Sequence, residues 1–317
     1  MGPQQIKRYK NFTFRLDLII IFIVILLGPA IGLLISKTDL LDKIELLKIL
    51  KPEVAVHEQI LLNPNHKIFF SSTKSTDLEV LLEQVGLDYS KVLNLENLSN
   101  LNLLSLPKDL STIEPTSRRK KIFLSSILPL IVNSNLEILN HRKALCEAIK
   151  KNDYEKKQII AKKYNIDLST IEKLMIDDTL IRHIDAIPIS LALSQAAVES
   201  GWGTSRFALQ GNALFGQWVW NESKGIKPKL ASDKNAVVRK FETLGESVKA
   251  YLLNLNTHFA YSAMRAKRKR NCSQKKLISG FVLANWMGNY AITRDEYIKT
   301  LRLVIKANKL EFLDGLI

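Results

Sequence analysis

Glu199 closes the run PISLALSQAAVES and is followed at once by Gly201-Trp202-Gly203. In the last turn of an apolar helix a carboxylate meets the negative end of the helix dipole, which disfavours the anion. Burial beside the Trp202 indole would disfavour it further. Both effects help a carboxyl keep its proton near neutral pH, the state needed to protonate the leaving oxygen of a glycosidic bond. Gly201 can take the left-handed conformation that stops a helix. Ser200 could orient the acid. The competing account is a solvated glutamate near a helix end.

The surroundings favour chemistry. Three of the four tryptophans, Trp202, Trp218 and Trp220, lie close together, with Phe215 among them. Aromatic faces stack on the apolar faces of sugar rings. Here they alternate with polar loop residues (Thr204, Ser205, Asn212, Gln217), which describes a groove more economically than a core.

The elements that must hold these residues are mostly helices. From about residue 113 apolar residues recur at helical spacing, interrupted near Pro129. Pro188 suits the first turn of the helix that carries Glu199. Phe215–Trp220 and Val237–Phe241 are β-capable segments around a Gly/Lys-rich stretch, which predicts a small β-hairpin lobe. A last helix is expected near Glu296–Asn308. Residues 36–112 hold apolar clusters between Asn/Pro/Ser-rich breaks and are expected to form a stalk or small α/β spacer. Their leucine-rich stretch, Leu93–Leu106, is one short copy and no repeat array.

Leu18–Ile35 is free of charge and follows Lys7, Arg8, Lys10 and Arg15. That pattern predicts a single membrane-spanning anchor over 18–35, with residues 1–17 cytoplasmic and the rest exported. A cleaved signal peptide with Leu18–Leu27 as its apolar region is the rival. The chain has 317 residues and a formal charge of +15, which favours an anionic partner: nucleic acid, anionic lipid or a cell-wall polymer. The runs RAKRKR (Arg265–Arg270) and SRRKK (Ser117–Lys121) come without a nucleic-acid recognition motif. They are expected to be solvated helix faces, or contacts to carboxylates or lipid headgroups. The two cysteines, Cys146 and Cys272, show no metal-ligand spacing and could pair in an oxidising compartment.

The segment LALSQAAVESGWGTSRFALQGNALFGQW resembles the core motif of the bacterial peptidoglycan N-acetylglucosaminidases, glycoside hydrolase family 73, in their Bax-like branch. The resemblance extends from about Ser117 through KFETLGESVKAYLLNLNTH and AYSAMR to NYAITRDEYIKTLRLVIKANKL, about two-thirds of the chain. It implies a mainly α (α+β), lysozyme-like helical domain over 113–317 with a β-lobe above a groove. It implies hydrolysis of the β-1,4 bond after N-acetylglucosamine, with no metal or other cofactor. By position, Glu199 matches the family's catalytic acid. Trp202, Asn212 and Phe215 match its glycan-lining motif, and Trp218 follows in the same loop. Tyr290 matches a tyrosine implied to stabilise charge or position the N-acetyl group. His258 matches a branch motif without a defined role and suits a hydrogen-bonded structural residue.

The second carboxylate departs from the family pattern. Val237 stands at or beside the expected position, Asp233 is the nearest acid, and Glu222 lies across the lobe. The branch's cysteine-bearing insertion after Trp218 is also missing. An inverting enzyme needs a base about 6.5–9.5 Å from the acid and a retaining one a nucleophile about 5–5.5 Å away. A substrate-assisted route through the sugar's N-acetyl group needs neither. The sequence therefore points to a bacterial inner-membrane protein whose periplasmic domain hydrolyses peptidoglycan. A lytic transglycosylase and a non-catalytic wall-binding protein are the alternatives. Leu214-Phe215-Gly216-Gln217, in place of a Gly-Leu-Met-Gln-like motif, favours the glucosaminidase.

Overall fold

The computed structural model describes residues 61–62, 68–92, 98, 101–229, 236–276, 278–291 and 293–317. The expected anchor over 18–35 and Asp233 lie outside these residues. The chain begins with β1 (Leu61–Leu62), β2 (Ile68–Phe70), α1 (Ser75–Gln84) and β3 (Leu101–Leu103). Helices α2 (Thr116–Lys150), α3 (Tyr154–Lys163), α4 (Ile176–His183), α5 (Ile189–Glu199) and α6 (Arg206–Gly211) follow. A lobe of β4 (Trp218–Val219), β5 (Gly225–Ile226) and β6 (Val237–Arg239) precedes α7 (Leu244–Thr257), α8 (Ser262–Arg268), α9 (Gly280–Leu283) and α10 (Arg294–Ala307). The domain is mainly helical. Among the described residues α2 is long and apolar enough to cross a membrane, yet most of its apolar window is buried inside the fold.

Helix α5 runs through the middle. Its residues 189–197 are all buried, and the polar ones among them are hydrogen-bonded: Ser190 to Asp314, Ser194 to the Leu191 carbonyl and Gln195 to Tyr297. It packs against α2, α10 and the 3₁₀ segment Leu310–Leu316. Helix α2 continues through Pro129, contrary to the interruption expected there. A proline inside a helix costs about 3 kcal/mol. Every residue from Ile122 to Val132 is buried, and that apolar transfer outweighs the lost hydrogen bond.

The segment expected to be a separate spacer shares this core. Phe70, Leu78, Leu98, Leu101, Leu103 and Leu110 are buried in one cluster with residues of α2, α5 and α7. β2 pairs antiparallel with β1 and parallel with β3, and α1 connects the parallel pair. The Leu244 amide donates to the Leu104 carbonyl (3.1 Å), which fixes this sheet to the start of α7. SRRKK contributes as well: Arg118 pairs with Glu79, and Lys121 with Asp88 at 2.9 Å. The β-lobe is a three-stranded antiparallel sheet in the order β4-β6-β5, where a simple hairpin was expected. β6 takes the centre because Val237 and Val238 are its buried pair.

RAKRKR is not a solvated face. Arg265, Arg268 and Arg270 are buried, together with Arg142 of α2. Arg268 donates to the carbonyls of Arg182 (2.9 Å) and Asp185 (3.1 Å) and to Asn256 Oδ1 (2.7 Å), so it covers carbonyls left open at the end of α4. Arg270 grips the Asp185 carboxylate with two parallel bonds of 2.9 and 2.8 Å. Arg142 donates to the carbonyls of Ile181 and Ile184, both at 3.0 Å. Burial pulls the Arg268 guanidinium down to about 10. Cys146 of α2 and Cys272, two residues after Arg270, form a disulfide with Cα atoms 5.7 Å apart. The pairing left open by the sequence thus ties the arginine segment to the longest helix.

Candidate active site

Pro188 caps the start of α5, and Asp314 anchors it. One Asp314 oxygen accepts from the Ser190 amide; the other accepts from the Ser190 hydroxyl and the Gly280 amide, all at 2.8 Å. A carboxylate there meets the open N–H groups of two helix starts. At the far end, Gly201 (φ +57°) ends the helix. The Trp202 amide donates to the Ala197 carbonyl (2.7 Å) and the Gly201 amide to the Val198 carbonyl (3.4 Å), the paired bonds of a Schellman stop.

Glu199, the last residue of α5, is half-buried. Burial raises its pKa above the ordinary glutamate value, and a hydrogen bond from Tyr297 opposes that rise. Tyr251, Tyr261, Tyr290 and Tyr297 all lie within reach of its charge. Gln195, one turn earlier on α5, joins two of them: it donates to the Tyr297 hydroxyl (2.9 Å) and accepts from the Tyr251 hydroxyl (2.7 Å). Tyr290 stacks on Tyr297 with ring centroids 5.7 Å apart and donates to the Phe215 carbonyl at 2.9 Å. Gly216 (φ +61°) brings the loop over the acid; a methyl group built on it would stand 3.9 Å from Glu199 Oε2.

Several side chains expected to bind substrate are engaged within the protein. Ser200 is fully buried; its hydroxyl donates to the Ala196 carbonyl (2.6 Å) and accepts from the Gly203 amide (2.8 Å). It shapes the turn and does not orient the acid. Phe215 is only 2% exposed and stacks on Tyr251 at 3.8 Å, so its ring belongs to the core and its carbonyl to the site. Asn212 adopts φ +52° after α6 and donates to the carbonyls of Phe241 (3.2 Å) and Glu242 (2.9 Å), locking the loop to the strand beyond β6. His258 accepts from the Ala260 amide at 3.3 Å and stacks on Phe259.

Trp202 is half-buried, with Phe123 against its ring edge (6.1 Å) and Lys120 Nζ 4.6 Å from its centroid. Trp218 and Trp220 are 50% and 71% exposed on the β-lobe. Glu222 is exposed and bonds to Lys227, so it does not join Glu199. Among the described residues no group of three His, Cys, Asp or Glu side chains could hold a metal ion. Sequence reasoning missed Gln195, Tyr251, Tyr261 and Tyr297. The one local signal was Gln195, a large polar residue one turn before Glu199 in a mostly apolar helix. The arrangement is a carboxyl whose pKa burial raises, set under aromatic walls, a combination suited to donating a proton to a leaving group.

A glucosaminidase family model, described as mannosyl-glycoprotein endo-beta-N-acetylglucosaminidase, matches residues 180–310, which include both Glu199 and Tyr290. The protein Bax of Escherichia coli K12 is 31% identical over 212 residues, covering 65% of this chain and 75% of that protein. No solved structure matches. The chain belongs to the glucosaminidase-domain family of glycosidases, in its Bax-like branch.

Proposed function

We propose that this protein is a membrane-anchored peptidoglycan hydrolase that cleaves the β-1,4 bond after N-acetylglucosamine, with Glu199 as general acid. The observation that carries the proposal is the acid itself: a half-buried carboxyl at the end of α5, its pKa raised by burial and its hydrogen bond supplied by Tyr297. Protonated Glu199 gives its proton to the glycosidic oxygen, and the bond to the anomeric carbon breaks as that oxygen leaves. Positive charge then develops on the sugar. Tyr290, held by the Phe215 carbonyl, suits the stabilising or positioning role implied by the family resemblance.

A substrate-assisted route, in which the substrate's own N-acetyl oxygen attacks the anomeric carbon and water then opens the product, needs no second carboxylate. Asp233 is the candidate for a two-carboxylate route, and Asp233→Asn separates the two: the substrate-assisted route predicts near-normal activity. The anchor is Leu18–Ile35, which would hold the domain on the periplasmic side of the inner membrane. The Cys146–Cys272 bridge supports an oxidising compartment.

The test incubates wild type and Glu199→Gln with purified peptidoglycan and analyses the released fragments by mass spectrometry after reduction. Reducible N-acetylglucosamine ends from wild type alone are expected. Anhydromuramic ends would assign the protein to the lytic transglycosylases, which also use a single helix-borne acid. No release, with both forms still pelleting with the wall, would make it a binding protein.

A further inference from the structure

We propose that the cavity walled in part by Tyr290 is a subsite for a carboxylate-bearing peptide branch of the glycan strand; this rests on peptidoglycan being the substrate. The cavity has a volume of about 710 Å³ and is lined by Phe259, Ser262, Asn289, Tyr290 and Arg294, with alanines between them. That is room for more than one small group. Tyr290 belongs to both places: its ring stacks on Tyr297 beside the acid, and it also forms part of the cavity wall. The cavity therefore begins one side chain away from the bond-breaking site.

Its chemistry is cationic and amphipathic. Arg294 is exposed and has no partner among the described residues. This sets it apart from the other described arginines, each of which bonds a carbonyl, pairs with an acid or covers a ring. Its acidic neighbour Glu296 is already paired with Lys299 at 2.8 Å. The Arg294 backbone lies at φ +24°, which non-glycine residues rarely adopt. Asn289 donates to the Ala260 carbonyl (3.0 Å), which leaves its own carbonyl oxygen for an incoming amide. Phe259 is 79% exposed at the wall, an apolar surface for a short aliphatic side chain. An unpaired guanidinium matches a carboxylate with two parallel bonds. A neutral glycan backbone offers no such group, whereas its peptide branches do.

The test compares two substrates, peptidoglycan glycan with its peptides and the same glycan with the peptides enzymatically removed. Full-chain wild type, Arg294→Ala and Arg294→Lys are measured on both. Wild type is expected to show a kcat/KM about tenfold higher on the peptide-bearing glycan, through KM. Arg294→Ala should bring that ratio close to one, and Arg294→Lys should keep part of it. Equal rates of wild type on both glycans, or an unchanged ratio in Arg294→Ala, would overturn the proposal while leaving the hydrolase reading in place. If wild type cuts neither glycan, the hydrolase reading fails and calorimetry decides the subsite. A disaccharide-peptide should then bind at least about fivefold tighter than the bare disaccharide, and the difference should vanish in Arg294→Ala. Equal binding of the two ligands would sink the subsite. Matching melting temperatures exclude misfolding of the variants.

Discussion

Gln195 donates through its amide nitrogen to the Tyr297 hydroxyl at 2.9 Å, which fixes the direction of that hydroxyl's own proton. With Tyr251 donating to the other end of Gln195 at 2.7 Å, each proton in the chain points toward Glu199. Tyr297 is thus a donor to the acid. It stabilises the anion and keeps the rise caused by burial in check.

Tyr297→Phe removes that donor. The Glu199 pKa then rises further, because the hydrogen bond lowers it. A general acid works while protonated, so activity is lost as pH climbs through its pKa. The alkaline limb of the kcat/KM profile should move to higher pH in Tyr297→Phe. The rate at the optimum should fall by about tenfold through looser placement of the carboxyl. An unshifted limb would remove Tyr297 from the site.

Glu199 also weighs on stability. Its pKa is raised in the folded state above an ordinary value of 4.5, so folding favours the protonated form. The penalty on the anion is absent below the unfolded value and grows as pH rises toward the folded one. Glu199→Gln should therefore melt higher than wild type near about pH 8, by roughly 2–4 °C per kcal/mol relieved. The two should converge below the ordinary value of 4.5. Thermal melts across pH measure this, and a constant offset would mean that the carboxyl is solvated.

Arg268→Met should cost about 3–5 kcal/mol, measured by urea denaturation. The substitution keeps bulk but strips donors from the carbonyls of Arg182 and Asp185 and from Asn256. Arg268→Lys should recover only part of the loss, because an ammonium lacks the planar fork.

Replacing both Cys146 and Cys272 with serine should lower stability by about 2–5 kcal/mol, since the bridge closes a long loop. The cysteines stand 126 residues apart. Wild type treated with reductant should unfold at the same midpoint as the double variant.

The acid was legible because its signals are local: an apolar run, a terminal glutamate and a glycine stop. The tyrosines were not. Tyr251 and Tyr297 lie within α7 and α10, where a tyrosine looks like any core aromatic, and only tertiary packing brings them to Glu199. Phe215 and Asn212 were found as part of the loop, but their side chains face the core and the lobe. The sequence cannot tell a side chain that lines a groove from one that builds its wall. RAKRKR misled for a similar reason: the carbonyls that Arg268 bonds belong to the last turn of α4 and the residues just after it, some eighty residues earlier. β-lobe order and the continuity of α2 through Pro129 likewise depend on what packs around them.

Asp314 has a consequence for how the molecule is made. It caps the start of α5, the helix whose other end carries the acid. A chain emerging from the ribosome reaches Asp314 more than a hundred residues after Glu199. Until then the acid-bearing helix lacks its anchor, and α10 with Tyr297 has only just arrived. Translation order therefore delays assembly of the site until nearly all of this fold has been synthesised, so a half-made chain carries Glu199 without the residues that enclose it.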